Sequence, residues 1–425
     1  MNALPEHHPL LRSLNKQRLW QRTEELARYT LPEAPWTRRA FTDLHLESRV
    51  WLSQQMRQAG LQVSTDAAGN LIGRMPGRSP DLPPLVTGSH TDTVVGGGRY
   101  DGIIGVLAGI ELAHALTDAG VLLNHPFEVI DFLSEEPSDY GISCVGSRAM
   151  AGMLGPAMLA AARSDGETLA QGLRRYGGDP KALPAARRVP GSMAAFLELH
   201  IEQGPVLEQS GLPIGVVSHI VGIRRLAIGL QGRPDHAGTT PMHLRADALV
   251  AAAHLVQQVD QQARALSSNP HYVVATVGRI QVAPNVPNAV PGRVELVLEV
   301  RSDSEAVLDT FATGVLSAIE PDMQRMGVQL ETVELSRGAA TPCSPVAMQA
   351  ITQAASALGY ASTVLPSGAG HDAAYMQRLC PTGMVFIPCL DGRSHCPEES
   401  ITPDQLFDGT RVLAAAFLEL DRLPG

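Results

Sequence analysis

The sequence predicts an α/β protein with two domains. The larger domain has a mixed sheet with helices on both faces, and a smaller α+β domain, an open-faced sandwich, is inserted into it. Three observations predict this class. The 425 residues are too many for one compact core. Apolar runs that end in charged residues alternate with helical patterns over residues 1–215 and again over 337–425. Residues 216–336, between these parts, follow the order β-α-β-β-α-β.

The composition argues against a nucleic-acid-binding, secreted or membrane-spanning protein. The chain is 44% hydrophobic and 18% charged, with a formal net charge of −10 and no long basic run, which argues against nucleic acid as a partner. The amino terminus lacks the pattern of a secretory signal, and no apolar run is long enough to span a bilayer. The five cysteines are scattered without a CxxC pair, so we expect free thiols and a cytoplasmic protein.

The first part of the larger domain begins with helical patterns over residues 15–30 and 38–59, and Gly60 ends the second helix. Short strands at 61–64 and 70–75 flank a turn. The apolar run 82–86 predicts a buried strand, and residues 102–116 predict a helix that packs on the sheet. We therefore expect a strand-loop-helix unit in this region.

The loop of this unit carries His90, Asp92 and Asp101. A buried strand that runs into such residues places them at the carboxyl edge of the sheet, where open α/β sheets bind their ligands. Glycines at 96–98 allow a tight turn that would bring Asp101 back beside His90. Taken alone, His90 fits a polar loop equally well, and the residues downstream decide for a functional site.

Two further strands end in candidate ligands. Residues 127–134 predict an apolar strand that ends in Glu135 and Glu136. Beside a cation, one carboxylate could ligate while the other stays free as a base, whereas on a surface loop both would be solvated. Residues 195–201 predict a strand with His200 near its end, followed by Gln203. A single histidine in an apolar strand is more often a core residue, but a second histidine at a strand end favours a ligand.

The inserted region alternates strands and helices around one polar loop that contains His236. Its predicted elements are a strand at 216–231, a helix at 245–263, strands at 272–280 and 294–301, a helix at 304–326 and a strand at 328–335. An open antiparallel sheet of this kind has an exposed edge, which invites dimerisation.

The pattern of the first part returns after residue 338. We predict a helix at 346–358, a strand at 362–365, a glycine-rich turn with His371, a strand at 384–388, a loop with His395 and a closing helix at 403–420. The candidate ligands at strand ends now comprise three imidazoles and three carboxylates: His90, Asp101, Glu135, Glu136, His200 and His395. This set is sufficient for two metal ions roughly 3.5–4 Å apart, with a bridging carboxylate and a shared water of lowered pKa. Asp92 would hold the His90 imidazole from behind.

These residues stand in motifs that resemble the M20 family of dinuclear metallohydrolases. Within it, the chain resembles the amidase branch, which contains N-carbamoyl-L-amino acid hydrolases, allantoate amidohydrolases and β-ureidopropionases of the hydantoinase/carbamoylase type. The resemblance covers nearly the whole chain and rests on residues 88–93 (GSHTDT), 135–136 (EE), 198–205 (ELHIEQGP), 236–242 (HAGTTPM), 285–292 (NVPNAVPG), 367–373 (SGAGHDA) and 394–399 (SHCPEE).

The resemblance implies a role for each residue. His90 and His200 would hold one ion, Glu136 and His395 the other, and Asp101 would bridge them. The ions would be zinc or manganese, with cobalt or nickel as alternatives. Glu135 would be the general base and proton shuttle. The remaining residues would act on the substrate. His236 would polarise the scissile carbonyl, commonly in the partner subunit of a homodimer, Asn288 and Arg301 would clamp the substrate carboxylate, and Gln203 and His371 would contact the ureido group or the groups behind it.

Two departures bear on the substrate. Residues 137–141 read PSDYG where many relatives have GSRF, and Cys396 follows His395 where serine or asparagine is common. We expect a metal-dependent amidohydrolase that converts N-carbamoyl-L-amino acids to amino acid, ammonia and carbon dioxide. The runner-up is allantoate amidohydrolase. A peptidase or aminoacylase, and a catalytically inactive binding protein, are more distant alternatives.

Overall fold

The structure is a computed structural model that describes residues 7–267 and 270–422. It divides into two compact units, Met1–Ser218 with Cys343–Gly425, and His219–Pro342. The predicted fold class, a mixed α/β sheet with helices and a separate antiparallel sheet with helices, is confirmed. In the described part of the chain, no helix combines the length and the apolar character that crossing a membrane requires.

The helices, in chain order, are α1 (Pro9–Ser13), α2 (Lys16–Ala27), α3 (Asp43–Gln58), α4 (Ile103–Ala119), α5 (Val145–Met150), α6 (Pro156–Leu159), α7 (Leu169–Arg175), α8 (Leu183–Ala186), α9 (Val206–Ser210), α10 (Ala248–Leu266), α11 (Glu305–Met326), α12 (Pro345–Ala357), α13 (Ala373–Met376) and α14 (Pro403–Leu420). The strands are β1 (Gln62–Thr65), β2 (Leu71–Met75), β3 (Leu85–His90), β4 (Phe127–Phe132), β5 (Ala195–Ile201), β6 (Ile214–Ile220), β7 (Gly222–Gln231), β8 (Val273–Ala283), β9 (Arg293–Ser302), β10 (Gln329–Gly338), β11 (Thr341–Pro342), β12 (Ser362–Ser367) and β13 (Thr382–Ile387).

The large sheet has the order β1-β2-β4-β3-β5-β13-β6-β11, with β12 also paired to β6. Strands β4, β3, β5 and β13 run parallel, whereas β2 and β6 join them antiparallel, so the sheet is mixed. The parallel strands are fully buried, as expected for a sheet covered on both faces. Their carboxyl ends therefore meet at one edge, and the side chains that follow them share that edge.

The central strand β3 begins later and ends later than the sequence indicates. We predicted a strand over 82–86, but Pro83 and Pro84 lack the N–H that a ladder needs, and β3 runs from Leu85 to His90. His90 is therefore the last residue of the strand itself. Strand β4, in contrast, ends earlier than the predicted 127–134: its last residue is Phe132, and Ser134 then turns the chain with a φ of +57°. Glu135 and Glu136 lie in the turn that follows.

Other differences from prediction lie at capping residues. The Asn15 side chain caps α2, which occupies Lys16–Ala27 of the predicted 15–30, and the short helix α1 before it was not predicted. Thr42 caps α3, which therefore begins at Asp43 instead of residue 38. Asp247 accepts hydrogen bonds from two amides of α10, which begins at Ala248 instead of Arg245. The predicted strand 216–231 is two strands that meet at Val221. Side-chain capping decides these boundaries more strongly than apolar periodicity does.

The second unit is an antiparallel sheet of order β10-β7-β9-β8 with α10 and α11 on one face. Strand β9 alternates strictly, and its residues Val294, Leu296, Leu298 and Val300 are buried under the helices. The opposite face carries charged and exposed residues, and β8 forms an outer edge of this sheet. This arrangement is the open-faced α+β sandwich that the sequence predicts.

Candidate metal centre and active site

The candidate ligands of the first unit come from the carboxyl ends of parallel strands. His90 ends β3 and His200 lies in β5, where its neighbour across β13 is Phe386. Gly102 stands between Asp101 and helix α4 with a φ of +70°, and a Cβ there would lie 2.3 Å from the His90 ring. Only glycine both adopts this backbone conformation readily and fits against the imidazole. The absence of a side chain at Gly102 therefore allows the Asp101 loop to approach the His90 ring closely.

Donor atoms of four side chains converge on Asp101. His200 Nε2 lies 3.1 Å and His90 Nε2 lies 3.9 Å from Asp101 Oδ1. On the other side, His395 Nε2 lies 2.9 Å from Asp101 Oδ2 and 3.0 Å from Glu136 Oε1. Two groups with metal-ligand spacing therefore share Asp101, one with His90 and His200, the other with Glu136 and His395. The structure brings together all five residues that the sequence analysis assigned to metal.

Main-chain carbonyls fix the orientation of two imidazoles. His90 Nδ1 lies 2.9 Å from the carbonyl oxygen of Asp92, and His200 Nδ1 lies 2.8 Å from that of Ile201. Because a carbonyl only accepts hydrogen bonds, each Nδ1 carries a proton and donates it. Each Nε2 faces Asp101 and is the nitrogen that can ligate a metal ion once it is unprotonated. Imidazole nitrogens and carboxylate oxygens in this number fit divalent zinc, manganese, cobalt or nickel.

Asp92 acts on the glutamates instead of on the imidazole. We expected its carboxylate behind His90, but Oδ1 lies 3.8 Å from His90 Nδ1, and the main-chain carbonyl makes that contact. The fully buried carboxylate instead accepts hydrogen bonds from the amides of Glu135 and Glu136, at 3.3 and 3.1 Å. Asp92 thereby holds the turn that presents both glutamates.

Glu135 has the surroundings of a proton-transfer group. Its side chain is 10% exposed, and its Oε2 lies 3.7 Å from His90 Nε2. Its other oxygen, Oε1, accepts a hydrogen bond from Cys144 Sγ at 3.2 Å. Burial, followed by the negative charges of Glu136 and Asp372, raises the pKa of Glu135 well above its ordinary value. A raised pKa makes a carboxylate a stronger proton acceptor, and such shifts are typical of groups that transfer protons.

The charges around Asp101 favour cations. Burial alone would raise the pKa of Asp101, but hydrogen bonds from His200 and His395 hold it well below its ordinary value. Although burial opposes the change, the Asp101 carboxylate raises the pKa of His200 to about 9. Hydrogen bonds to Asp101 and Glu136 raise the pKa of His395 to about 11. Protons on these imidazoles therefore balance the carboxylates in the metal-free chain, which is the charge pattern expected of a metal site.

Gln203 and His371 lie close to the candidate ligands. Gln203 has a φ of +57°, and its Nε2 donates to Asp101 Oδ2 at 3.0 Å and to Ser394 Oγ at 3.2 Å. His371 is buried, with its Nε2 2.8 Å from Ser367 Oγ and its ring 4.5 Å from the His200 ring. Gln203 thus contacts the shared carboxylate directly, whereas His371 packs against a ligand ring.

The second unit holds the other predicted substrate residues. His236 is exposed, and its Nδ1 accepts hydrogen bonds from the amides of Gly238 and Thr239 at 3.0 and 3.2 Å. Its proton is therefore on Nε2, which can donate a hydrogen bond. The Ala237 amide donates to the carbonyl of Asn288 at 3.0 Å, so the two predicted residues lie on paired loops.

Arg301 lies on β9, on the face opposite the helices. Its Nε donates to Glu299 Oε1 at 2.7 Å, and Arg225 contacts the other oxygen of the same carboxylate at 2.5 Å. The Arg301 side chain is 29% exposed. A guanidinium held at one edge by a carboxylate is oriented without being buried.

Several residues that contact the candidate ligands, Glu135 or the His236 loop were not predicted from the sequence. Arg245 braces the His236 loop by donating to the carbonyls of Ala237 and Thr240 at 2.6 and 3.0 Å. Ser394, Glu399 and Cys144 each contact a candidate ligand or Glu135. Glu399 and Ser394 stand in the same motif as His395, and that proximity is the signal that could have drawn attention to them.

Residues 137–141, where the sequence differs from the motif of many relatives, pack on the first unit. The Tyr140 hydroxyl donates to Glu167 Oε2 at 2.8 Å, and its ring meets the Phe41 ring edge-on at 5.0 Å. Arg39 donates to the carbonyl of Pro137 at 3.2 Å. This segment is therefore fastened by contacts of its own beside the two glutamates.

Comparison with known proteins gives consistent matches over nearly the whole chain. An N-carbamoyl-L-amino acid amidohydrolase from Geobacillus stearothermophilus is 41% identical over 398 residues, 93% of this chain and 96% of that protein. A ureidoglycolate hydrolase from Arabidopsis thaliana is 34% identical over 416 residues, 96% of this chain and 87% of that protein. The crystal structure of a hydantoinase/carbamoylase family amidase from Burkholderia multivorans is 35% identical, with a TM-score of 0.90 over 97% of this chain and 99% of that one.

The family match covers the segments that supply the candidate ligands. Residues 86–419 match peptidase family M20/M25/M40, and this range contains both groups around Asp101 as well as His236, Asn288 and Arg301. The amidases among the relatives align over the complete two-unit fold. The chain therefore belongs to the M20/M25/M40 family, in its hydantoinase/carbamoylase amidase branch.

Proposed function

We propose that this chain is a metal-dependent amidohydrolase that cleaves the ureido C–N bond of N-carbamoyl-L-amino acids. The products are the amino acid, ammonia and carbon dioxide. One observation carries the proposal: the buried Glu135 carboxyl lies beside imidazole and carboxylate donors that converge on Asp101. The 41% identity to an amidohydrolase of this specificity supports the substrate class.

The proposed metal site consists of two groups of ligands. His90, His200 and Asp101 would hold one divalent ion, and Glu136, His395 and Asp101 a second. Zinc or manganese is the proposed metal, with cobalt and nickel as alternatives that the same donors accept. When bound, such ions act as Lewis acids and lower the pKa of a water molecule into the neutral range.

Glu135 moves the proton in this proposal. Because Cys144 Sγ–H occupies Oε1, Oε2 is the oxygen that faces the ligand nitrogens and takes the proton of the attacking water. The same oxygen returns the proton to the leaving nitrogen. Asp92 keeps the carboxyl in place through the amides of Glu135 and Glu136. One residue therefore acts first as base and then as acid.

The second unit supplies substrate contacts in the proposal. His236 would donate its Nε2 proton in a hydrogen bond to the scissile carbonyl oxygen, where negative charge develops. Arg301 and Asn288 would bind the substrate carboxylate, since a guanidinium reads a carboxylate through parallel N–H groups. Gln203 and His371 are proposed contacts of the ureido group or of the ligands. Because the proposed substrate carries a carboxylate, a positively charged arginine is expected among the residues that bind it.

We further propose a cytoplasmic homodimer formed through the inserted unit, 216–336, with 1–215 and 337–425 as the catalytic domain. Strand β8 is an outer edge of its sheet, and Ile280 on that strand is 51% exposed. Helix α10 exposes Val250 and Val256 by 45% and 40%. An exposed strand edge with apolar neighbours suits a two-fold interface. All five cysteines lie in the described residues and are free thiols, which supports a reducing compartment.

The test is ammonia release by metal-stripped protein reconstituted with Mn²⁺ or Zn²⁺, with N-carbamoyl-L-amino acids and allantoate offered in parallel. We expect turnover of the carbamoyl amino acids and a loss of about 10³-fold in kcat for Glu135→Gln at unchanged metal content. Turnover of allantoate alone would move the chain to the runner-up, which the departure at residues 137–141 keeps in view. No turnover of either compound by protein shown to hold metal would overturn the proposal.

A further inference from the structure

Glu399 is a buried carboxylate that contacts the loops of the candidate metal site without being a candidate ligand. Glu399 is 1% exposed, and its Oε1 accepts hydrogen bonds from the amides of Tyr100 and Asp101 at 2.8 and 3.1 Å. Its Oε2 accepts a hydrogen bond from Ser394 Oγ at 2.7 Å. The glutamate therefore joins two loops that are almost 300 residues apart in the sequence.

These loops supply two ligands of the same proposed ion. Glu399 binds the main-chain amide of Asp101 itself, and His395 directly follows Ser394 in the sequence. Ser394 Oγ also lies 3.4 Å from Asp101 Oδ2. His395 itself is about half exposed and has a φ of +55°, so packing alone does not hold it. Hydrogen bonds within the His395 loop are therefore needed to fix the position of this exposed imidazole.

The local backbone is shaped to admit this carboxylate. A Cβ at Gly98 would lie 1.9 Å from Glu399 Oε1, so the chain passes the carboxyl group at a distance that only glycine permits. The Glu399 amide donates to the carbonyl of Cys396 at 3.1 Å, which closes the loop around His395. Three features, the glycine, the amides and the serine, thus converge on one side chain.

We propose that Glu399 is a positioning residue that clamps the loops of Asp101 and His395 and thereby sets the affinity for the second metal ion. The inference rests on the proposed metal site and concerns ligand placement alone. Glu399 has no place among the metal ligands, because its oxygens are taken by main-chain amides and a hydroxyl. Loss of such partners behind a ligand typically weakens metal binding by about 10–100-fold.

The test is calorimetric titration of metal-stripped protein with Co²⁺, which also reports each site through its visible absorption. For Glu399→Ala we expect the ion held by Glu136 and His395 to bind about 10–100-fold more weakly, and the ion held by His90 and His200 to change less. Glu399→Gln keeps a carbonyl oxygen for the two amides and should bind close to wild type. Glu399→Asp withdraws the carboxylate by one methylene and serves if the alanine variant does not fold.

The matched control is Asp421→Ala. Asp421 is also a buried carboxylate that accepts two main-chain amides, those of Asn124 and His125 at 2.9 and 3.0 Å. It does so at the amino end of β4, away from the carboxyl-edge site. We expect this variant to lose thermal stability and keep both binding steps.

Three results would overturn the inference: wild-type Co²⁺ binding by Glu399→Ala, an equal loss in Asp421→Ala, or a glutamine variant as weak as the alanine variant. Substrate is absent from the titration, so the two proposals fail separately. Wild-type protein that binds two ions but leaves ureido acids intact contradicts only the proposed function. Wild-type protein that binds no divalent ion contradicts both.

Discussion

Cys144 Sγ donates a hydrogen bond to Glu135 Oε1 at 3.2 Å, while the other oxygen of the proposed base, Oε2, lies 3.7 Å from His90 Nε2. The thiol is buried, and Cys144 itself adopts a φ of +54° at the start of α5. The contact decides which oxygen of Glu135 faces the candidate ligands.

We expect Cys144→Ala to lower kcat by about 5–10-fold, the equivalent of one modest hydrogen bond of about 1 kcal/mol. Cys144→Ser, which keeps a donor, should retain most of the activity. The measurement is steady-state kinetics on the reconstituted enzyme. Cys380→Ala is the matched control, because that buried thiol contacts the carbonyl of Met376 and the hydroxyl of Thr382 instead of the base. An equal loss in both alanine variants would show that general packing is responsible.

Gly102 and Gly120 flank the same helix, α4, and both have positive φ, +70° and +60°. We expect Gly102→Ala to abolish high-affinity metal binding, because the new methyl would lie 2.3 Å from the His90 ring. Gly120→Ala meets no atom within 4 Å and should cost about 1 kcal/mol of stability from backbone strain alone. Metal content by elemental analysis and thermal unfolding separate the two effects. Normal metal content in Gly102→Ala would contradict the close approach.

Arg301→Ala should lower kcat/KM by about 10²-fold, since a charge-assisted paired contact to the substrate carboxylate is worth roughly 3 kcal/mol. Arg301→Lys keeps the charge but loses the planar fork, so we expect an intermediate value. Arg293→Ala is the control on the same strand, because Arg293 contacts Glu295 much as Arg301 contacts Glu299. Unchanged kinetics in Arg301→Ala would remove this residue from the substrate site.

His45 makes stability depend on pH. Its ring is fully buried, and burial together with the charges of Arg49 and Arg38 lowers its pKa well below the ordinary value. The unfolded chain therefore binds a proton below about pH 6.5 that the folded chain does not, so stability is complete above that pH and falls below it by up to about 1.4 kcal/mol per pH unit.

Urea unfolding of the wild type and of His45→Gln at about pH 7.5 and about pH 5.5 measures this difference. The glutamine does not titrate, so the variant should lose less stability on acidification. An equal loss in both proteins would show that His45 is protonated in the folded chain.

Much of the fold was predictable because apolar runs and glycines mark the elements directly. Apolar runs predicted the strands that carry His90 and His200 and the strand that precedes Glu135, and parallel strands must bring their carboxyl ends to one edge. The boundaries were less predictable, since caps such as Asn15 and Asp247 act through a single side-chain contact.

The support of the site was not predictable. The His90 imidazole is held by a main-chain carbonyl, and every residue has one, so no pattern marks it. Asp92 contacts amides of a turn that lies more than 40 residues away in the chain. Such contacts depend on how strands align across the sheet, which sequence spacing does not encode.

The Asp92 carboxylate holds Glu135 and Glu136 through their amides, and an amide is the same whatever side chain it precedes. Substitution of either glutamate side chain therefore leaves intact the two hydrogen bonds through which Asp92 holds the turn. A designer who wants a different acid, a different ligand or a deliberately slowed variant can change either side chain there. For the same reason, the side chains at positions 135 and 136 can diverge among related proteins while the turn that carries them is conserved in structure.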